Sequence, residues 1–436
     1  MKECYLIPQT KYDAQEIAKK IYNYINPKGC KSIFIKPNMV IDPWKNEMDN
    51  WISTVTNPTI VEAVLIVLKE KMNGVGCITI GDAPMARSNH DRTLKLLKIE
   101  SIINRYRSDT FKIDLIDIRD WYWKYIGEMC VSRKQLPGDP LGNTLINLKD
   151  DSCFHGRVGT DFVAYDNVHP VSEFHNEVDN KYSVSTSVLS ADMVINLPKL
   201  KTHRIAGMTC AMKNLVGINS NKNCVPHNTV GSVSEGGDAC PASEVSAVDE
   251  SKGIGGFVRR ILRKKNPIIN YVFVPVKIVY DKIAPSKGKI GWGMWYGNDT
   301  IWRSVNDLNK IILYADKKGV MHNSIQRKYI CITDAIISGE GEGPLHPTPI
   351  NTGLILITEN PVVNDSVACE LMGFDYKKIP TLFNAYKKGS KYPLVDFDYG
   401  DIVVCYGGKE IPVNQIRTEF SYSFKPSDGW KNHIER

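Results

Sequence analysis

Apolar positions recur along the chain in two rhythms, and the alternation between them predicts an α/β protein. Ser32 to Ile35 is a short apolar run closed by Lys36-Pro37-Asn38, the form of a buried strand that stops where a loop begins. Asn57-Pro58-Thr59 then opens a helix, because Asn is a favoured cap and Pro suits the first turn. Ile60, Val61, Ala63, Val64, Val67 and Leu68 give that helix a face to pack on a sheet. Gly74 to Gly76 turn the chain into a second strand, 77–80, which ends in Gly81-Asp82-Ala83-Pro84. Strand, helix and strand in this order predict a parallel crossover. A helix over about 91–104 and a third strand, 112–118, extend the pattern.

Residues 120–185 carry many aromatics and short alternating runs, which predict antiparallel hairpins. Met193 to Leu197 is a core strand stopped by Pro198, and residues 219–256, rich in Asn, Ser, Gly and Glu, predict a long mobile excursion. Regular structure returns with a helix at about 298–316, strands at 329–333 and 353–358, and a helix at 362–372. The expected architecture is a mostly parallel central sheet with flanking helices and an irregular insertion. Residues 1–218 and 291–400 form one domain, 219–290 a mobile loop plus basic insertion, and 401–436 a C-terminal extension.

The net charge of +7 changes this picture only locally. Ten Lys or Arg against one acid lie between Lys252 and Lys289, so the rest of the chain is slightly acidic. A nucleic-acid footprint over the whole protein is therefore not expected. The basic stretch alternates cations with apolar residues. It suits either contact with an anionic membrane surface or folding onto the protein's own acidic remainder. Eleven cysteines are scattered without a CxxC pair, so no built-in iron–sulphur or zinc cradle is read. The odd count and the lack of an apolar leader point to a reducing cytoplasm.

Chemistry concentrates at predicted strand ends. Lys199, Lys201 and His203 alternate after the core strand, so in an extended chain they share one face. Lys213, Asn214 and His227 follow closely. A lone lysine is ordinarily a solvated one; this clustering instead predicts a site for a small anionic metabolite, because ligands of open α/β sheets sit beyond the carboxyl ends of strands. Lys36, Asn38, Lys199, Lys201 and Asn214 are the expected substrate-binding groups, with His203, His227 and Lys213 catalytic. Asp82, Asp334, Glu340 and Glu342 are expected to hold a divalent metal, Mg²⁺ by their oxygen chemistry. The alternative is iron or nickel on His203, His227 and Cys210 or Cys224, in a redox or maturation protein. A membrane-docked scaffold is the non-catalytic alternative. Asp365, in a first helical turn, reads as an acid complementing its own helix dipole.

These blocks also resemble a known family, domain of unknown function 362. The resemblance runs through Lys36-Pro-Asn38, Thr56-Asn-Pro-Thr59, Gly81-Asp-Ala-Pro84, Asp192-Met-Val-Ile-Asn-Leu-Pro-Lys-Leu-Lys-Thr-His203, Met212-Lys-Asn-Leu-Val-Gly217 and His227. It resumes at Asp334, Gly341-Glu-Gly-Pro344 and Asn360-Pro-Val-Val-Asn-Asp365. Some members of that family carry a ferredoxin-like segment, which this chain lacks. Trp295 to Arg303 with Asp307-Leu-Asn309 looks like a subgroup encoded near surface-polysaccharide genes, which implies a role in glycan precursor chemistry.

Overall fold

The computed structural model describes residues 2–44, 48–126, 129–157, 162–164, 171–241 and 293–436. One large sheet organises them, in the strand order Lys409–Pro412, Val403–Tyr406, Glu3–Pro8, His346–Thr358, Lys328–Glu342, Met193–Leu197, Ser32–Pro37, Gly76–Asp82 and Phe111–Asp117. From Lys328–Glu342 to Phe111–Asp117 every neighbouring pair is parallel. The other half is mixed: His346–Thr358 runs antiparallel to both its neighbours, and Glu3–Pro8 pairs in parallel with Val403–Tyr406. The fold is α/β with a mostly parallel central sheet and flanking helices. Residues 401–436 add two edge strands and bury Trp430 completely.

The helix Pro58–Lys71 starts where Asn57 accepts a hydrogen bond from the Thr59 amide, with Pro58 in the first turn. It buries Ile60, Val61, Val64 and Leu68 on one side of the sheet with Ile17, Ile33 and Ile80. On the other side, Val305, Leu308 and Ile312 of the helix Ile301–Tyr314 pack with Phe34, Val194 and Leu356. The single helix expected near 91–104 is two, His90–Leu97 and Ile99–Tyr106. Lys98 separates them in the left-handed region at φ +54°, and its amide reaches back to Leu94 and Lys95 carbonyls. The break lets Leu97, Ile99 and Ile103 all face the core. Of the hairpins expected over 120–185, Trp121–Ile126 with Met129–Gln135 is one, whereas Asn143–Asn147 pairs antiparallel with the distant Lys181–Ser185.

Residues 219–241 pack against this body through buried Asn219, Cys224, Val225, His227 and Asp238. The basic stretch 252–289, and with it the expected membrane contact, lies outside the described residues. Among the described residues no helix is long and apolar enough to cross a membrane.

Candidate functional site

All five residues of Met193–Leu197 are buried, and the strand stops at Pro198, which has no amide hydrogen to donate. The chain then continues as a second strand, Lys199–His203, parallel to Lys328–Glu342. Its pairing shifts register between Lys199, opposite Asp334, and Lys201, opposite Gly339. The carboxyl ends of Ser32–Pro37 and Gly76–Asp82 lie alongside, which brings Lys36, Asn38 and Asp82 to the same edge.

A continuous polar network joins these ends. The Lys36 ammonium lies 2.7 Å from Asp82, with both side chains buried. Asn214 Oδ1 accepts from Asn38 Nδ2 at 2.8 Å and from Lys36 Nζ at 3.4 Å, while its amide donates to Asn196 Oδ1 at 2.7 Å. Lys201 Nζ donates to Asn38 Oδ1 at 2.9 Å and to the Thr54 carbonyl. Gly217 permits the first contact: a Cβ there would stand 2.1 Å from Asp82 Oδ1 and 2.7 Å from Lys36 Nζ. Gly217→Ala is therefore expected to part Lys36 from Asp82 and cost about 1–3 kcal/mol of stability, as overpacking does. An unchanged melting temperature would contradict that close approach.

Lys199 belongs to a separate pair. Its ammonium lies 2.9 Å from Asp334 Oδ2, and Tyr12 bridges the two, accepting from Lys199 at 3.1 Å and donating to Asp334 Oδ1 at 2.9 Å. The Asn57 amide adds a third donor to Asp334. The register shift thus separates the roles of the three alternating residues. Lys199 is neutralised, whereas Lys201 and His203 share an electrostatic neighbourhood with Lys213 and His227.

Burial governs that neighbourhood. Among the described residues the Lys201 ammonium bonds to neutral oxygens only, and it is held well below the ordinary lysine value, first by desolvation and then by Lys199 and Lys213. Lys213 keeps some solvent contact, yet desolvation still lowers it to about 8. His227 falls to about 3, mainly by burial and then by Lys213. His203 falls well below its ordinary value for the same reasons. Both imidazoles are therefore neutral, and their tautomers follow from backbone partners. His203 Nδ1 lies 3.0 Å from the Ile205 amide and 3.2 Å from that of Ala206, so it accepts and the ring proton sits on Nε2. His227 Nδ1 lies 2.7 Å from the Val225 carbonyl, so it donates and Nε2 carries the lone pair.

The short helix Ala211–Asn214 carries Lys213 and Asn214, and it is oriented from outside. Asp365 accepts from the Ala211 amide at 2.7 Å and the Met212 amide at 3.1 Å. This acid, read from the sequence as serving its own helix, serves another one. Burial raises its carboxyl to about 7.

The expected four-carboxylate metal set does not assemble. Asp82 and Asp334 are each committed to a lysine, and Glu340 and Glu342 lie further along the strand Lys328–Glu342. Glu340 accepts from the Lys425 amide at 2.9 Å; Glu342 accepts from that of Asp428 at 2.7 Å and pairs with Arg204. Gly339 to Glu342 form the end of this strand, paired with 346–349. The glycines of this run admit close backbone: a Cβ on Gly343 would stand 2.0 Å from the Thr202 carbonyl oxygen. Nor do Cys210 and Cys224 form a metal cluster with the histidines. Both are buried with thiols pushed up, and no group of three or more His, Cys, Asp or Glu able to hold a metal occurs among the described residues.

Three contributors escaped the sequence reading, Tyr12, Asn196 and Lys222, and Asp365 was given a different role. Asn196 lies inside the very run read as a core strand, where its polarity among apolar neighbours was the available signal. Lys222, buried and donating to the Ala83 carbonyl, lies in the Asn-rich run taken as an excursion, and nothing local marks it. A cavity of about 80 Å³ is lined by Trp44, Trp51, His346 and Thr54, the residue whose carbonyl accepts from Lys201.

No curated protein matches the chain. A solved structure, the lactate racemase apoprotein from Thermoanaerobacterium thermosaccharolyticum, aligns over 84% of the chain at 11% identity with a TM-score of 0.36. The aligned region spans 57% of that protein's length. The family described as domain of unknown function (DUF362) matches over residues 33–137 and 155–370, which include every strand-end block assembled above. The chain belongs to this family.

Proposed function

We propose that the chain is an enzyme acting on a small anionic metabolite, phosphorylated or carboxylated. Lys201 and Lys213 hold the anion, and His203 and His227 handle protons. One observation carries this reading. Lys36 and Lys199 are each paired with a buried carboxylate, whereas among the described residues no carboxylate pairs with Lys201 or Lys213, and both act electrostatically on the neutral ring of His203. A buried cation without a paired counter-charge is costly, and an anionic ligand offsets that cost directly. Asn38 and Asn214 orient Lys201 and the helix beside it. No step in this reading is routed through a metal, because the carboxylates expected to bind one are engaged elsewhere. A cytoplasmic setting and contact of 252–289 with an anionic membrane surface belong to the same proposal. A place in surface-glycan precursor chemistry is its narrower form, resting on the resemblance at 295–309.

Titration with inorganic phosphate, followed by calorimetry and by melting temperature, tests the reading. Phosphate at about 100 times its dissociation constant is expected to stabilise the fold by about 2.7 kcal/mol. Lys201→Met is expected to weaken binding at least about tenfold, the loss of one charge-assisted contact. Absence of binding by phosphate and by small carboxylates at millimolar concentration would sink the proposal.

A further inference from the structure

A second cavity, of about 190 Å³, lies between the hairpin of Trp121–Ile126 with Met129–Gln135 and the segment 220–223. Its hairpin wall follows from register. Trp121 and Trp123 stand two apart on one strand, so their rings project from the same side. Arg133 is opposite Trp123 across the pair and shares that side, its guanidinium 5.2 Å from the centre of the Trp123 ring. Lys222 and Asn223 line the other wall, and Phe174 completes the lining. The two walls are tied together. The Asp120 amide donates to the Ser220 carbonyl at 3.4 Å, and Ser220 Oγ donates to Asp120 Oδ2 at 3.0 Å. The Trp123 amide is fixed in turn by the Ala86 carbonyl at 2.9 Å.

Shape and charge select the ligand. Trp121 remains 40% exposed, so the aromatic wall is open to solvent at one end. A cavity of roughly 150 Å³ holds a benzene ring; this one has room for a single ring with a small substituent. Lys222 and Arg133 line it, and no acid does. Lys222 Nζ donates to the Ala83 carbonyl, and among the described residues it pairs with no carboxylate. An ammonium has three donors, so capacity remains for a ligand oxygen. Asn223 is 2% exposed, and its Oδ1 meets no donor among the described residues.

From this cavity we propose a second ligand site, which takes a planar aromatic ring carrying a carboxylate. The ring stacks on the indoles beside Phe174, and the carboxylate is held by Lys222 and Arg133. None of these residues belongs to the Lys201 cluster, so the inference stands apart from the anion-binding reading above. The two sites meet at one loop, because Ala83, which accepts from Lys222, follows Asp82, which pairs with Lys36.

Calorimetry on the full chain tests this with 4-hydroxybenzoate, whose hydroxyl also supplies a donor for Asn223. Two analogues each remove one feature: 4-hydroxybenzamide lacks the charge, and 4-hydroxycyclohexanecarboxylate lacks the flat ring. Both are expected to bind at least about tenfold more weakly. Trp121→Ala, at an exposed position, is expected to keep the wild-type melting temperature and to weaken 4-hydroxybenzoate about tenfold. Lys222→Met is expected to weaken it at least as much, whereas Lys201→Met binds it as the wild type does. No binding at millimolar concentration, equal affinity for all three compounds, or undiminished binding by Trp121→Ala overturns the proposal. So does binding lost in Lys201→Met, which would put the carboxylate at the other site. Phosphate titration of the same wild-type sample separates the two readings: phosphate binding without 4-hydroxybenzoate binding overturns the second site alone.

Discussion

Asp334→Ala is expected to lower the unfolding free energy by about 3–5 kcal/mol, the cost of breaking a fully buried ion pair from one side. Asp334 and Lys199 are both wholly inaccessible, 2.9 Å apart. Removing the carboxylate leaves a buried ammonium beside Lys201, and it strands the Tyr12 hydroxyl and the Asn57 amide. Asn57 also caps the helix Pro58–Lys71, so the damage reaches a principal core element. Changing both partners, Asp334→Ala with Lys199→Met, removes the orphaned charge and is expected to recover most of the loss. Urea denaturation of the two variants gives the answer. Equal losses in the single and double variants would show that the charge pair is not the source of the effect.

The second large effect is a dependence of stability on pH, and its sign follows from the direction of the shifts. His227 lies at about 3 in the folded protein, against an ordinary value near 6.5. The unfolded chain therefore takes up the proton first as pH falls. The stability tied to this ring is complete above about 6.5 and is lost progressively down to about 3. The slope is about 1.4 kcal/mol per pH unit, so between pH 7.5 and 4.5 the loss is about 2.7 kcal/mol. His203 acts in the same direction. Asp365 acts in the opposite one, because its carboxyl is raised to about 7 and the folded state binds its proton first. Comparing wild type with His227→Gln at both pH values removes those common contributions. The wild type is expected to lose about 2–3 kcal/mol more than the variant; equal losses would show that His227 is not a buried neutral ring.

These effects trace to residues that differ in how far their roles could be read locally. Lys36, Asn38, Asp82 and Lys201 were legible because each follows an apolar run, and strands of a parallel sheet end on one edge. The Asn57 cap, the Pro58 start and the buried face of the following helix were legible for similarly local reasons. The partners of Glu340 and Glu342 were not legible, because a glycine-rich run can bend freely or let another backbone come close. The Thr202 carbonyl against Gly343 decides for the second, and the contact joins residues remote in sequence. Asp365 shows the same limit, since a first-turn acid complements its own helix unless another helix terminus is brought against it.

By itself the sequence determined the periodic elements, the α/β class, the parallel crossover and the gathering of cations and imidazoles after the core strand. These depend on side-chain spacing within single elements and on the order of neighbouring elements, where backbone geometry sets which groups share a face. Only the tertiary structure decided which cations are neutralised. Lys199 meets Asp334, and Lys36 meets Asp82, across large gaps in sequence, and such pairings depend on strand order and register. The charge left over on Lys201 and Lys213, and with it the chemistry proposed for the site, is a property of that packing.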